Sequence, residues 1–87
     1  MSDESLIEFP CDFPIKIMGD NCDEFEAEII RIVRQHVPDL GEAAIRQRQS
    51  GKGNYLAITV TIRAQSQSHL DALYRELTAC ELAKMVL

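Results

Sequence analysis

A glycine-rich turn that leads directly into an alternating strand constrains the fold of this chain more than any other feature. The turn is residues 50–54, Ser-Gly-Lys-Gly-Asn, and the strand after it runs from Tyr55 to Arg63. Large apolar residues alternate there with small or polar ones, which is typical of a β-strand with one buried face. We therefore predict a β-hairpin whose second strand buries four residues: Leu56, Ile58, Val60 and Ile62.

Two amphipathic stretches predict helices. The first begins after Asp20 or Asn21, either of which suits an N-cap, and Pro38 ends it. The second begins at Ser66 or Ser68. The apolar residues recur at helical spacing; they are Phe25, Ile29, Ile32, Val33 and Val37 in the first helix, and Leu70, Leu73, Tyr74 and Leu77 in the second.

Three more strands complete the predicted order. They cover residues 13–19, 42–49 and 81–87, and the polarity of 42–49 indicates an edge strand. The order β-α-β-β-α-β with short connections predicts an α+β, ferredoxin-like fold, in which a four-stranded antiparallel sheet carries both helices on one face. We expect residues 1–12 to form a flexible lead and residues 13–87 to form a single domain, with the other face of the sheet bare.

Composition and charge exclude several classes of function. The chain has 87 residues and a net charge of −5, which argues against a general nucleic-acid binder. No apolar run approaches the ~18 residues of a membrane span, and the acidic start is unlike a signal peptide, so we expect a cytoplasmic protein without membrane contact. The acidic charge is concentrated in residues 1–28, which hold nine acidic residues and one lysine.

Four short motifs occur in order along the chain. They are Phe9-Pro10, residues 13–19 (Phe-Pro-Ile-Lys-Ile-Met-Gly), residues 50–55 (Ser-Gly-Lys-Gly-Asn-Tyr) and the ending Met85-Val86-Leu87. With these motifs the chain resembles, from about residue 6 to residue 87, the YbeD-like family of small bacterial proteins, which have no established activity. The resemblance implies a fold similar to that of the small-molecule-binding ACT regulatory domain and a link to lipoate metabolism, and it supplies no catalytic residue.

Catalytic, metal and cofactor motifs are not recognisable. The glycines at 51 and 53 lead into a strand, whereas a phosphate loop leads into a helix, so we interpret them as a plain hairpin turn. The three cysteines and two histidines lack metal-ligand spacing. We therefore expect a protein that is not an enzyme and needs no cofactor.

Two regions are candidate binding sites. Arg46, Arg48 and Arg63 are expected on the bare sheet face, where they could bind a small anion or an acidic partner, and Lys52 in the turn could contact a phosphate. In ACT-type domains the ligand lies at a subunit interface near the end of the first strand, which here is Gly19, Asp20 and Asn21. The leading hypothesis is a non-enzymatic regulatory or protein-interaction module working as a homodimer through its sheet, and the alternative is an ACT-like metabolite sensor.

Overall fold

The structure, a computed structural model, describes residues 8–87 and has the β-α-β-β-α-β order. The strands form one antiparallel sheet in the order β2-β3-β1-β4, so the predicted ferredoxin-like fold is confirmed. A short 3-10 turn, Glu42–Ala44, precedes β2. The elements are β1 Cys11–Asp20, α1 Asp23–His36, β2 Ile45–Gln49, β3 Tyr55–Ala64, α2 Gln67–Ala79 and β4 Ala83–Val86.

The core lies between the helices and one face of the sheet. The predicted buried side of β3 is confirmed, and the alternate residues Ile15 and Ile17 of β1 are fully buried beside it. The apolar stripes of both helices cover this layer, and no polar or charged residue in the described part of the chain is buried. Helical residues in the core are Phe25, Ile29, Ile32 and Val33 from α1, and Leu70, Leu73 and Leu77 from α2.

Several element boundaries differ from the predicted ones because strand pairing decides them. Cys11 and Asp12, assigned from the sequence to the lead, belong to β1, since they lie opposite Ala64 and Arg63 of β3. Between α1 and β2, the first three residues of the predicted strand 42–49 form the 3-10 turn Glu42–Ala44, so β2 begins at Ile45. β4 likewise begins at Ala83, after a turn. Of the rest of the predicted lead, residues 8–10 belong to no helix or strand, and residues 1–7 lie outside the described residues.

The predicted N-cap of α1 is wrong, whereas that of α2 is confirmed. Cys22 occupies the cap position of α1, and no side chain caps the helix there. Asn21 is engaged elsewhere, because its Nδ2 donates to the carbonyl oxygen of Gly53 at 2.9 Å. In α2, Ser66 Oγ accepts from the backbone N–H of His69 at 3.1 Å, which satisfies one of the donors that a helix start leaves open.

Gly19, near the end of β1, is packed closely against α1 and the turn before β4. A Cβ atom at this position would lie 2.5 Å from the backbone oxygen of Leu82 and 2.7 Å from Cε1 of Phe25. The oxygen belongs to the backbone of the turn before β4, so it cannot move aside as a side chain would. Glycine at the end of β1 therefore allows Phe25 and the turn to approach the strand.

We predict that Gly19→Ala lowers the free energy of unfolding by about 1–3 kcal/mol through overpacking. Gly41→Ala is the matched control, because nothing lies within 4 Å of a Cβ atom there and its φ of −92° suits alanine. Urea unfolding of both variants measures the difference. Equal stability of the two variants would contradict the packing described at Gly19.

Tyr74 joins α2 to the end of the chain. Its hydroxyl donates to the backbone oxygen of Leu87 at 3.1 Å, and its ring meets the edge of Phe13 at a centroid distance of 6.5 Å. Partial burial raises the pKa of the Tyr74 phenol. The folded state therefore keeps this proton at a pH at which the unfolded chain, with an ordinary tyrosine pKa of about 10, has begun to lose it.

We predict that the phenol contribution to stability is complete below pH ~10 and is lost as the pH rises through the higher pKa of the folded state. In Tyr55→Phe, Tyr74 is the only tyrosine and the chain has no tryptophan. An ultraviolet titration of this variant should give a midpoint above that of free tyrosine. A midpoint that does not change when the variant is unfolded in urea would refute the prediction.

Candidate interaction surface

The sheet face that no helix covers, called the open face here, carries the second set of alternating residues of each strand. Directly paired residues of antiparallel strands point to the same side of a sheet. One row across this face therefore runs from Arg46 through Thr59 to Lys16. The next row runs from Arg48 through Ala57 and Met18 to Met85.

Basic side chains gather on the β2 side of the open face. In the described part of the chain, no carboxylate lies within ion-pair distance of Lys16, Arg46 or Arg48. Their neighbours on β3, Ala57 and Thr59, are short, so these residues line a shallow groove between the longer side chains. Lys16, Arg46 and Arg48 are named the basic cluster below.

Exposed apolar side chains adjoin the basic cluster on the other side of the open face. Tyr55 is 52% exposed, Met85 50% and Leu87 61%, and Met18 lies half-buried among them. Leu87 is held there by backbone hydrogen bonds with Lys16, of 2.8 Å and 3.3 Å. These four residues are named the apolar patch.

The structure places Arg63 on the open face as predicted, but outside the basic cluster. Arg63 contacts Asp12 through an Nη1–Oδ1 distance of 3.3 Å, and Lys84 lies 3.6 Å from Asp20. All four side chains are well exposed, so each pair contributes little to stability. Their main effect is to neutralise local charge, which leaves Lys16, Arg46 and Arg48 as the basic part of the face.

Gly19, Asp20 and Asn21 do not converge on a common cavity. The space beside Gly19 on the core side is filled by the Phe25 ring, and Asp20 faces Lys84. Asn21 connects the end of β1 to the β2–β3 hairpin, because its backbone N–H donates to Asn54 and its side chain to Gly53. Asn21 therefore holds two segments of the fold together.

The glycine-rich turn is confirmed as a hairpin turn. Gly53 has a φ of 74°, a conformation that glycine adopts without strain, and its N–H donates to the carbonyl of Ser50 at 2.9 Å. The N–H of Ser50 and that of Tyr55 are also bonded within the turn. These amides therefore do not form a phosphate cradle, and Lys52 lies exposed between the two glycines.

Cysteines and histidines are dispersed in the described part of the chain, where no group of three or more His, Cys, Asp or Glu could hold a metal ion. Cys11, Cys22 and Cys80 are free thiols at half-buried positions. The imidazole of His69 bridges two backbone groups. Its Nδ1 accepts from the N–H of Gln65 at 3.2 Å, and its Nε2 lies 2.8 Å from the carbonyl oxygen of His36, to which it donates.

A groove between β2 and α1 is a feature that the sequence analysis missed. Ile30 and Arg34 of α1 line one wall, and Ile45 and Gln47 of β2 line the other. Glu26 spans the groove by accepting a hydrogen bond of 2.6 Å from Gln47 Nε2. The half-buried Ile30 lies next to the apolar stripe of α1, and this widening of the stripe was the available signal.

This small α+β domain, with one face of its sheet uncovered, has the fold of a known solved domain. The C-terminal domain of the MgtC protein from Mycobacterium tuberculosis superposes with a TM-score of 0.62 and 15% sequence identity, over 93% of this chain and 88% of that one. At this identity the likeness shows a shared fold. No helix in the described part of the chain has the length and apolarity to cross a membrane.

The sequence identifies the family more closely. A family model described as "Protein of unknown function (DUF493)" matches residues 4–87. The UPF0250 protein of Janthinobacterium sp. (strain Marseille) is 52% identical over 84 residues, covering 97% of this chain and 92% of its own. That of Chromobacterium violaceum is 49% identical over the full length of both chains. The chain belongs to this bacterial family of unknown function, and the resemblance to YbeD-like proteins is confirmed.

Proposed function

We propose that the protein is a non-enzymatic regulatory and protein-interaction module of the bacterial cytoplasm, and that it works as a homodimer through the open face of its sheet. The observation that carries the proposal is the apolar patch, where Tyr55, Met85 and Leu87 are each at least half exposed on one face. Contiguous exposed apolar surface on a small protein typically marks a contact with another molecule.

The distribution of charge favours an interface centred on the apolar patch. Arg46 and Arg48 lie on β2, two strands away from β1 and three from β4. A two-fold axis that runs parallel to the strands between Met18 and Met85 would set the β2 arginines of the two copies more than ~20 Å apart, given strand spacings of about 4.8 Å. This separation exceeds the screening length of about 8 Å in physiological salt, so the arginines would not oppose association.

The absence of catalysis is proposed from the roles of the polar groups. Both ring nitrogens of His69, the Nδ2 of Asn21 and the amides of Ser50 and Gly53 in the turn are bonded to backbone groups of the fold. A general base or an anion-binding turn would instead direct these groups at a substrate. The link to lipoate metabolism, which the YbeD-like resemblance implies, names a pathway for the proposed partner and stays a prediction.

The second candidate function is a metabolite sensor of the ACT type. A depression on the open face next to Gly19 favours it, because its walls are almost entirely apolar. A second chain placed over the apolar patch would close this depression into a pocket at a subunit interface. The residues that line it are Met18, Gly19, Tyr55, Lys84 and Met85.

For the dimer, we expect sedimentation equilibrium to give the wild-type protein twice the 9.8 kDa mass of one chain, and to give Met85→Glu the mass of a monomer. A carboxylate at this position would be buried without a partner in the interface, which is unfavourable. Leu82→Glu is the matched control, since Leu82 is 36% exposed in the turn before β4 and lies outside the apolar patch. A monomeric wild type, or a Met85→Glu dimer, would refute this mode of association.

For the sensor, we expect a ligand from a panel of amino acids, nucleotides, lipoate and short acyl compounds to raise the melting temperature. At 100 times its dissociation constant, a ligand stabilises the folded state by about 2.7 kcal/mol. The shift should disappear in Tyr55→Ala and persist in Gly41→Ala. A flat panel, or a shift that Tyr55→Ala retains, would remove the pocket beside Gly19 as the site.

A further inference from the structure

The outer edge of β2 offers unpaired backbone groups of known direction. β2 pairs with β3 on one side, and no strand of the described chain pairs with it on the other. The N–H of Ser50 donates to the carbonyl of Tyr55, directly opposite in the register, and in antiparallel pairs the bonded positions alternate. Arg46 and Arg48 therefore direct their backbone groups at β3, and Gln47 and Gln49 direct theirs outward. The N–H of Ile45 donates to the carbonyl of Glu42 in the 3-10 turn, so the N–H groups that this edge offers are those of Gln47 and Gln49.

The two sides of this edge differ in chemistry. On the core side lies the groove against α1, where Ile30 and Ile45 supply apolar surface and Glu26 and Glu42 supply carboxylates. On the open face, Arg46 and Arg48 stand next to Thr59 and Ala57, which carry no charge. Within the described chain, Lys16 is the nearest charged neighbour in their rows, and it is also basic. A compensating acidic group would have to come from outside β2.

A second copy of β2 does not fit this edge. A two-fold axis perpendicular to the sheet would pair β2 with a second copy of β2 in an antiparallel arrangement. This symmetry keeps the open face of both copies on the same side, so only residues of the same face can lie opposite each other. Every such register that pairs three or more residues of Ile45–Gln49 sets an arginine opposite an arginine: Arg46 opposite Arg48, or either one opposite itself. Like charges directly opposite each other destabilise a strand pair.

We propose that an acidic extended segment of a partner protein adds to the sheet as an antiparallel strand along β2. This assignment of partner chemistry rests on the interaction role proposed above. The segment carries acidic residues at alternate positions, opposite Arg46 and Arg48. The residues between them are uncharged and β-branched, because they lie on the groove side next to Ile45, where the carboxylates of Glu26 and Glu42 would repel acidic ones. The backbone of the segment pairs with the outward groups of Gln47 and Gln49, which is the mode of recognition called β-augmentation.

The probe is the peptide Ser-Glu-Val-Glu-Val-Glu-Ser with blocked ends, titrated into the wild-type protein by calorimetry and by NMR. Binding should slow hydrogen exchange at the amides of Gln47 and Gln49, and leave that of Val60 unchanged. The lysine counterpart, Ser-Lys-Val-Lys-Val-Lys-Ser, should not bind. An acidic peptide that binds without protecting the β2 amides would overturn strand addition, and a peptide that does not bind would overturn the proposal as a whole.

Two pairs of variants separate the backbone from the charges. Gln47→Pro removes an outward N–H that β3 does not use, and Gln47→Ala retains it, so only the proline variant should lose the peptide. The double variant Arg46→Glu with Arg48→Glu should weaken the acidic peptide by about tenfold or more and accept the lysine peptide. Arg31→Glu with Arg75→Glu, on the exposed surfaces of α1 and α2, is the charge-matched control and should bind as the wild type does.

Equal binding by Gln47→Pro and Gln47→Ala, with both variants folded by NMR, would refute the backbone pairing. Unchanged binding by the Arg46/Arg48 double variant would refute the acidic specificity. Met85→Glu separates this proposal from the proposed dimer, because it alters the open face far from β2. If the wild-type protein is a monomer and binds the peptide, the edge site is supported and the dimer is refuted. If it is a dimer and does not bind the peptide, the dimer is supported and the edge site is refuted.

Discussion

The pairing of β1 with β3 is the interaction on which the rest of the structure depends. These two central strands match over ten residues in one uninterrupted antiparallel register, from Cys11 opposite Ala64 to Asp20 opposite Tyr55. Because side chains alternate along each strand, this register sends Ile15, Ile17, Ile58 and Val60 to the helices together. A shift by one residue would expose that set and bury charged residues, so the core and the open face are specified by the same register.

Local patterns predicted the elements well, but non-local contacts decided where they begin and end. The alternation in Tyr55–Ala64 and the stripe of α1 each reflect one buried face, which a single segment reveals. The start of β1 at Cys11 depends instead on partners more than fifty positions away. The predicted N-cap of α1 is wrong for the same reason, since the Asn21 side chain donates to the carbonyl of Gly53 in a distant hairpin.

The part of the candidate site that could be predicted is the part that follows from the alternation of side chains along a strand. Arg46 and Arg48 share a face of β2 in any antiparallel sheet, and they were expected on the open face for that reason. The neutralisation of Arg63 by Asp12 and the contact of Lys84 with Asp20 require the register itself. The apolar patch also depends on it, because an irregularity between Met18 and Gly19 decides which residues of β4 face outward.

The two proposed surfaces are compatible because the sheet separates them. The apolar patch lies mainly over β1 and β4, whereas the proposed strand-binding site is the outer edge of β2, on the far side of β3. The groove floored by Ala57 and Thr59 lies between them, so a dimer centred on Met85 leaves the backbone of Ile45–Gln49 accessible. Because the β2 arginines of the two copies would lie more than a screening length of about 8 Å apart, an acidic strand on β2 would leave association at the apolar patch unchanged. One domain could in this way bind a partner and a second copy of itself independently, without a change of fold.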